Sequence, residues 1–118
     1  MQFTAPTVGT VTHALGYSYS KDPNFMYCAE AMGTNGSANW WLPSCQRSGG
    51  SSGGPWVQPM TETTGSGPII SVNSWGYTTS PGMAGPKLSG SSAECVFGAA
   101  KTTEFTSVTN RGVIPNGC

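Results

Sequence analysis

The 118-residue chain is predicted to be all-β, and three observations carry that prediction. Seventeen glycines and nine prolines cut regular elements short and suit many turns joining short strands. Apolar residues recur with a period of two in several segments, the mark of a strand with one covered face. The richest run of β-branched and aromatic residues, Pro68 to Tyr77, is a strand by composition.

Taken in order, Gly9 to Tyr19 alternates loosely, with Val11, His13, Leu15, Tyr17 and Tyr19 on one parity and a turn at Gly16. Phe25 to Ala31 has the same period, with Phe25, Tyr27 and Ala29 sharing a face. Thr34 to Ala38 is a polar turn, and Trp40-Trp41-Leu42 is a short buried strand ended by Pro43. Trp56-Val57 resumes an extended path after a Gly/Ser run, and Thr61 to Gly67 forms a polar hairpin loop before the Pro68 to Tyr77 strand. Only Ala93 to Thr106 has room for a short helix, against which Gly98 and the threonines weigh. No repeat or linker divides the chain, which is expected to form one domain over 1–118.

Composition narrows the function. Charged residues are 8% of the chain and the formal net charge is zero, against about 25% charged residues in ordinary domains. A nucleic-acid partner would call for a cationic patch, and a bilayer-spanning helix for roughly 20 apolar residues in a row. Neither is present, so no nucleic-acid or membrane partner is expected. Four cysteines, Cys28, Cys45, Cys95 and Cys118, lack C-x-x-C spacing, and only one histidine is available to join them. No metal site and no cofactor are therefore expected. Clustered oxygen ligands of the kind calcium requires are missing as well. An even cysteine count with few charges suits an oxidising, secreted setting, as does the Asn35-Gly36-Ser37 sequon. Met1-Gln2-Phe3-Thr4-Ala5-Pro6 has neither the basic nor the apolar region of a secretion signal. The expectation is that the original N-terminus lies further upstream.

The stretch Ser48-Gly49-Gly50-Ser51-Ser52-Gly53-Gly54-Pro55-Trp56 carries the chemistry. Composition alone also fits a flexible linker. Its place inside a domain, preceded by a cysteine and closed abruptly by Pro55-Trp56-Val57, fits a sharp corner instead. A nucleophilic serine needs such a corner. Flanking glycines admit positive φ, leave the substrate's path clear and let N–H groups face a developing oxyanion.

Gly50-Ser51-Ser52-Gly53-Gly54-Pro55 resembles the Gly-Asp-Ser-Gly-Gly-Pro signature of chymotrypsin-like serine endopeptidases, and with Trp56 it is similar to the branch related to glutamyl endopeptidases. Gly16-Tyr17 followed by Tyr27-Cys28 resembles that family's glycine-tyrosine turn and cysteine-bearing strand. Cys45 lies seven residues before Ser52, Val72-Asn73-Ser74-Trp75-Gly76-Tyr77 resembles the strand beside bound substrate, and Met83-Ala84-Gly85-Pro86 resembles a later loop. The likeness runs from about residue 16 to residue 98. It implies an antiparallel six-stranded Greek-key barrel, the second barrel of a two-barrel protease, with the N-terminal barrel absent from this chain.

The resemblance implies Ser52 as the nucleophile and the backbone N–H groups of Gly50 and Ser52 as the oxyanion hole. Gln46, Ser74, Trp75 and Gly76 are implied as substrate-binding residues, and the main chains of Ser74 and Gly76 as partners for an added substrate strand. The cysteines allow three connectivities; the resemblance implies a Cys28–Cys45 bridge, with Cys95–Cys118 as the companion pair. Ser51 and Gln46 depart from the two aspartates of trypsin-like relatives, and Arg47 follows Gln46. Asn73 stands where some glutamate-specific relatives carry histidine. Neither Lys/Arg nor Glu specificity is implied.

Acyl transfer at serine also needs a general base and a carboxylate to orient it. His13, the single histidine, and Asp22 come in the family's order, but Val11-Thr12-His13-Ala14-Leu15 and Lys21-Asp22-Pro23 do not resemble its motifs. His13 is expected to pack, and Asp22 to turn the chain before Pro23. The chain is thus expected to be an endopeptidase module, inactive alone, whose base comes from a missing half. The alternatives are a pseudoenzyme that binds peptides without cleaving them and a self-sufficient β-module.

Overall fold

Short extended segments, most of them stopped by a glycine, proline or polar turn, assemble into two antiparallel sheets of four strands. The computed structural model describes residues 1–102 and 118. Its strands are β1 (Val11–Tyr17), β2 (Phe25–Ala31), β3 (Gly33–Asn35), β4 (Asn39–Leu42), β5 (Pro55–Val57), β6 (Ile69–Val72), β7 (Trp75–Gly76) and β8 (Met83–Pro86). A 3-10 turn, Tyr19–Lys21, joins β1 to β2, and one helix, α1, spans Ser92–Thr102. One sheet has the order β2-β1-β5-β6 and the other β3-β4-β8-β7. Residues Met1–Lys87 make one unit and Leu88–Cys118 a second.

The six-stranded Greek-key barrel is corrected: the described residues form two four-stranded sheets and no closed barrel. The reason lies in two bends. Met32 separates β2 from β3 and Asn73–Ser74 separates β6 from β7, so each of these segments contributes to both sheets. At the first bend the Met32 amide donates to the Thr10 carbonyl (3.1 Å) and its carbonyl accepts from Gly9 (2.8 Å). The Met32 side chain meanwhile sinks into the core at 1% exposure. At the second bend the Asn73 main chain bonds to the Gly53-Gly54 segment.

The core of the larger unit gathers Ala14, Met32, Trp40, Leu42, Cys45, Trp56, Ile70 and Met83. Trp56 is wholly buried, and a buried indole removes a large apolar area from water. The expected Trp40-Trp41-Leu42 and Trp56-Val57 strands lie within β4 and β5. The expected single strand Pro68 to Tyr77 is instead broken in two at Asn73–Ser74. The loop expected at Met83-Ala84-Gly85-Pro86 is in fact β8, an inner strand paired with both β4 and β7. Its small residues permit this. A Cβ on Gly85 would lie 2.4 Å from Ser71 Oγ, 2.6 Å from the Val72 carbonyl oxygen and 3.2 Å from the Trp56 ring. The period-two face of Phe25, Tyr27 and Ala29 points outward, while Met26, Cys28 and Glu30 are half-buried.

In the second unit Ser91 precedes α1, and its carbonyl accepts from the Glu94 and Cys95 amides. Glu94 Oε2 accepts from the Gly90 amide at 2.6 Å, so an acidic group sits by the positive end of the helix. The helix is described as far as Thr102; the rest of the expected Ala93 to Thr106 span lies outside the described residues. Cys95 and Cys118 are bonded, as are Cys28 and Cys45 in the larger unit.

Candidate active site

The Gly/Ser run forms a defined corner between β4 and β5. Gly50 and Gly53 take positive φ, +92° and +84°, values that side chains beyond glycine rarely tolerate. Ser51 is turned inward at 9% exposure, whereas Ser52 is exposed. The Ser51 carbonyl accepts two bonds, from the Gly54 amide (3.1 Å) and from Asn73 Nδ2 (2.9 Å). The Gly49 carbonyl accepts from the Tyr19 amide at 3.0 Å. Among the described residues nothing accepts from the amides of Gly50 and Ser52, although the adjacent Gly53 and Gly54 amides are both engaged.

Behind the corner stands Asn73, 3% exposed, with every polar atom occupied. Its Nδ2 donates to Leu15 and Ser51 carbonyls at 3.0 and 2.9 Å, and its Oδ1 accepts from Trp56 Nε1 at 2.7 Å. Its amide donates to the Gly54 carbonyl (2.8 Å) and its own carbonyl accepts from Gly53 (2.9 Å). Gly54 is required for this closeness. A Cβ there would meet the Leu15 carbonyl oxygen at 2.1 Å and Asn73 Nδ2 at 2.6 Å.

Ser52 opens on a cavity of about 590 Å³ whose lining also includes Gln46, Ser74, Trp75 and Gly76. These expected site residues, far apart in sequence, therefore share one surface. Gly50 is not part of that lining; it lies against Tyr19, whose amide nitrogen would be 3.5 Å from a Cβ at position 50. Trp75 packs with Trp41 and Tyr77 in a three-ring cluster, centroids 5.5 to 6.0 Å apart, an arrangement favoured by aromatic quadrupoles. β7, which carries Trp75 and Gly76, is the edge of its sheet, so one side of its backbone is open to pairing.

Arg47 also lines the cavity, and its guanidinium binds main-chain carbonyls rather than a carboxylate. Nη1 donates to Gly16 (3.2 Å) and Met26 (3.1 Å), and Nη2 donates to Ala14. Burial lowers its pKa from the ordinary arginine value because desolvation disfavours the charged form. The Cys28–Cys45 bridge fixes the segment just before it. Glu30 Oε1 accepts from the Ser44 and Cys45 amides at 2.7 and 2.9 Å.

His13 is not brought to this cavity. It lines another, of about 470 Å³, with Leu15, Phe25, Tyr27, Met60, Glu62 and Gly65. Asp22 is exposed beside the 3-10 turn. Sequence reasoning marked Arg47 and Asn73 only as departures from a pattern. Their bonds to distant carbonyls depend on contacts across the fold, and no local signal announces them.

No protein-family model matches the chain, and no curated protein matches it. Among solved structures the chain is similar to a thermostable serine protease, AL20, from an extremophilic microorganism, with a TM-score of 0.69 and 30% identity. The alignment covers 87% of this chain and 48% of the protease, so the chain spans about half the length of that protein. The likeness supports a chymotrypsin-like β fold.

Proposed function

We propose that this chain is the nucleophile-bearing half of a serine endopeptidase of the branch related to glutamyl endopeptidases, working outside the cell. The observation that carries the reading is the single cavity at which Ser52 meets Gln46, Ser74, Trp75 and Gly76. The likeness to a serine protease at 30% identity supports it. Ser52 Oγ gives its proton to the base and attacks the scissile carbonyl, and the C–N bond breaks as the amine leaves with that proton. Water then hydrolyses the resulting acyl-enzyme to the acid product and free Ser52. The amides of Gly50 and Ser52 receive the oxyanion, where losing one donor costs about 2.7–4 kcal/mol of transition-state stabilisation. Gln46 and Trp75 wall the pocket, and the substrate backbone pairs along Ser74 and Gly76 at the open edge of β7.

The base and its orienting carboxylate come from a complementary half, because the chain's one histidine lines a different cavity. Alone, the polypeptide is inactive or nearly so. The test is labelling of the full-length protein by a peptide phosphonate that reacts only with activated serines. Labelling at Ser52, absent in Ser52→Ala, is expected; no labelling beside a reactive control protease would refute the reading. The placement of His13 also favours a second reading, peptide binding without cleavage. Full-length protein that binds peptides and releases no product would support that one instead.

A further inference from the structure

We infer that Asn73 is the positioning residue of the serine corner: it fixes the Ser51–Ser52 peptide so that the Ser52 N–H faces the cavity. The inference rests on the proposed acyl-transfer reading and adds to it the part that holds the catalytic amide. In a trans peptide the C=O and the following N–H point in opposite directions. The Ser51–Ser52 bond is trans, since the cis peptides among the described residues precede Pro23 and Pro59. Asn73 Nδ2 and the Gly54 amide draw the Ser51 carbonyl inward. The Ser52 N–H at the other end of that plane is thereby turned outward, and no described residue accepts from it.

The neighbouring donor is set in the same way. The Tyr19 amide holds the Gly49 carbonyl at 3.0 Å, which turns the Gly50 N–H away from Tyr19. Something must hold these planes. With glycine at 49, 50, 53 and 54, peptide rotation in this corner meets little steric resistance. The pin on Gly49 is main chain alone, whereas Ser51 is held by the Gly54 amide and by the Asn73 side chain, and the latter is open to substitution.

Reading substrate is the other task available to an asparagine that lines the pocket. Its bonding leaves little for that task, only one lone pair of Oδ1 being unassigned. Both Nδ2 hydrogens are taken by carbonyls and Oδ1 is taken by the Trp56 indole. The orientation of the amide is chemically fixed, because an indole N–H can only donate and a carbonyl can only accept.

The experiment compares wild type, Asn73→Asp and Asn73→Ala in the full-length protein. Asn73→Asp keeps the acceptor for Trp56 and, once ionised, removes the donors. Three readouts are taken: the phosphonate labelling rate at Ser52, kcat separately from KM, and affinity for a peptide boronate against a product peptide. Asn73→Asp should lower labelling, kcat and boronate affinity by about 10²-fold, the scale of losing one oxyanion donor. KM and product-peptide affinity should stay within about twofold. A purely structural asparagine would lower the unfolding midpoint and leave the boronate-to-product affinity ratio as in wild type. That outcome overturns the inference. If neither variant folds, NMR of the wild type decides: slow exchange of the Asn73 side-chain amide, kept on boronate binding, supports the inference, and fast exchange overturns it. A labelled wild type with equally labelled variants overturns the inference alone. An unlabelled wild type overturns the acyl-transfer reading and this inference together.

Discussion

Two cavities of the Met1–Lys87 unit treat their polar groups in opposite ways. Around Ser52, carbonyls of Gly49 and Ser51 are held from behind, and the Gly50 and Ser52 amides are left without acceptors among the described residues. Around His13 the ring is 6% exposed and its Nδ1 has no partner among the described residues. Its Nε2 lies 3.5 Å from a Glu62 carboxylate whose side chain is 80% exposed. A histidine is the residue type expected of catalysis, yet its surroundings neither orient it nor face it toward a nucleophile. The serine corner shows what organisation requires: bonds on the far side of each peptide that dictate what the near side offers.

The largest test of this contrast is Gly54→Ala. The added methyl would press on the Leu15 carbonyl and on Asn73 Nδ2, and neither can withdraw without releasing the corner. A loss of about 3 kcal/mol is expected from such overpacking, seen as a lower urea midpoint, together with loss of Ser52 labelling. A wild-type midpoint with normal labelling would mean that the corner is loose. Next comes removal of the Cys28–Cys45 bridge by alanine at both positions, which reopens a loop of separation 17. The chain-entropy relation gives about 3 kcal/mol for loops of this size. Labelling should weaken as Gln46 and Arg47 lose their anchor. Unchanged labelling would separate the bridge from the site.

Arg47→Met sharpens the comparison at a finer scale. It strips a charged donor from the carbonyls of Ala14, Gly16 and Met26 while keeping most of the apolar stem. About 2 kcal/mol of destabilisation is expected from leaving such groups unpaired, measured by denaturant unfolding. A stabilised variant would instead show that the cost of burying the guanidinium outweighs its bonds.

How much of this was legible in the sequence differs by element. Phe25 to Ala31 was readable because a period of two does not depend on which face is covered. Which face that is was not readable, since Phe25 and Tyr27 turn outward and Met26 and Cys28 inward. The strand of Met83–Pro86 was hidden because Gly85 and Pro86 read as loop residues; its place is set by Trp56 and Ser71, which only small side chains can approach. The break at Asn73–Ser74 was hidden for a related reason, as the bonds of Asn73 reach back to residues 15, 51 and 54. At the start of α1, Ser91-Ser92-Ala93-Glu94 has the serine and glutamate spacing of a helix start. That signal outweighs Gly98. The members of the serine corner were legible because they are contiguous. The residues that hold them in place were not.

The smallest expected effect belongs to His13 and Glu62, and it bears most directly on the comparison. Glu62→Gln removes the carboxylate 3.5 Å from the ring. Because that carboxylate is exposed, solvent screens the pair, and a change below about 1 kcal/mol is expected. His13→Gln keeps a polar group of similar reach beside Tyr27, whose ring centroid is 6.5 Å from that of the histidine. Stability should move slightly and phosphonate labelling of Ser52 in the full-length protein should remain as in wild type. If His13→Gln abolished labelling while the unfolding midpoint held, the two cavities would be parts of one site. The base would then lie within this chain, and the contrast drawn between the organised serine and the unorganised histidine would fail.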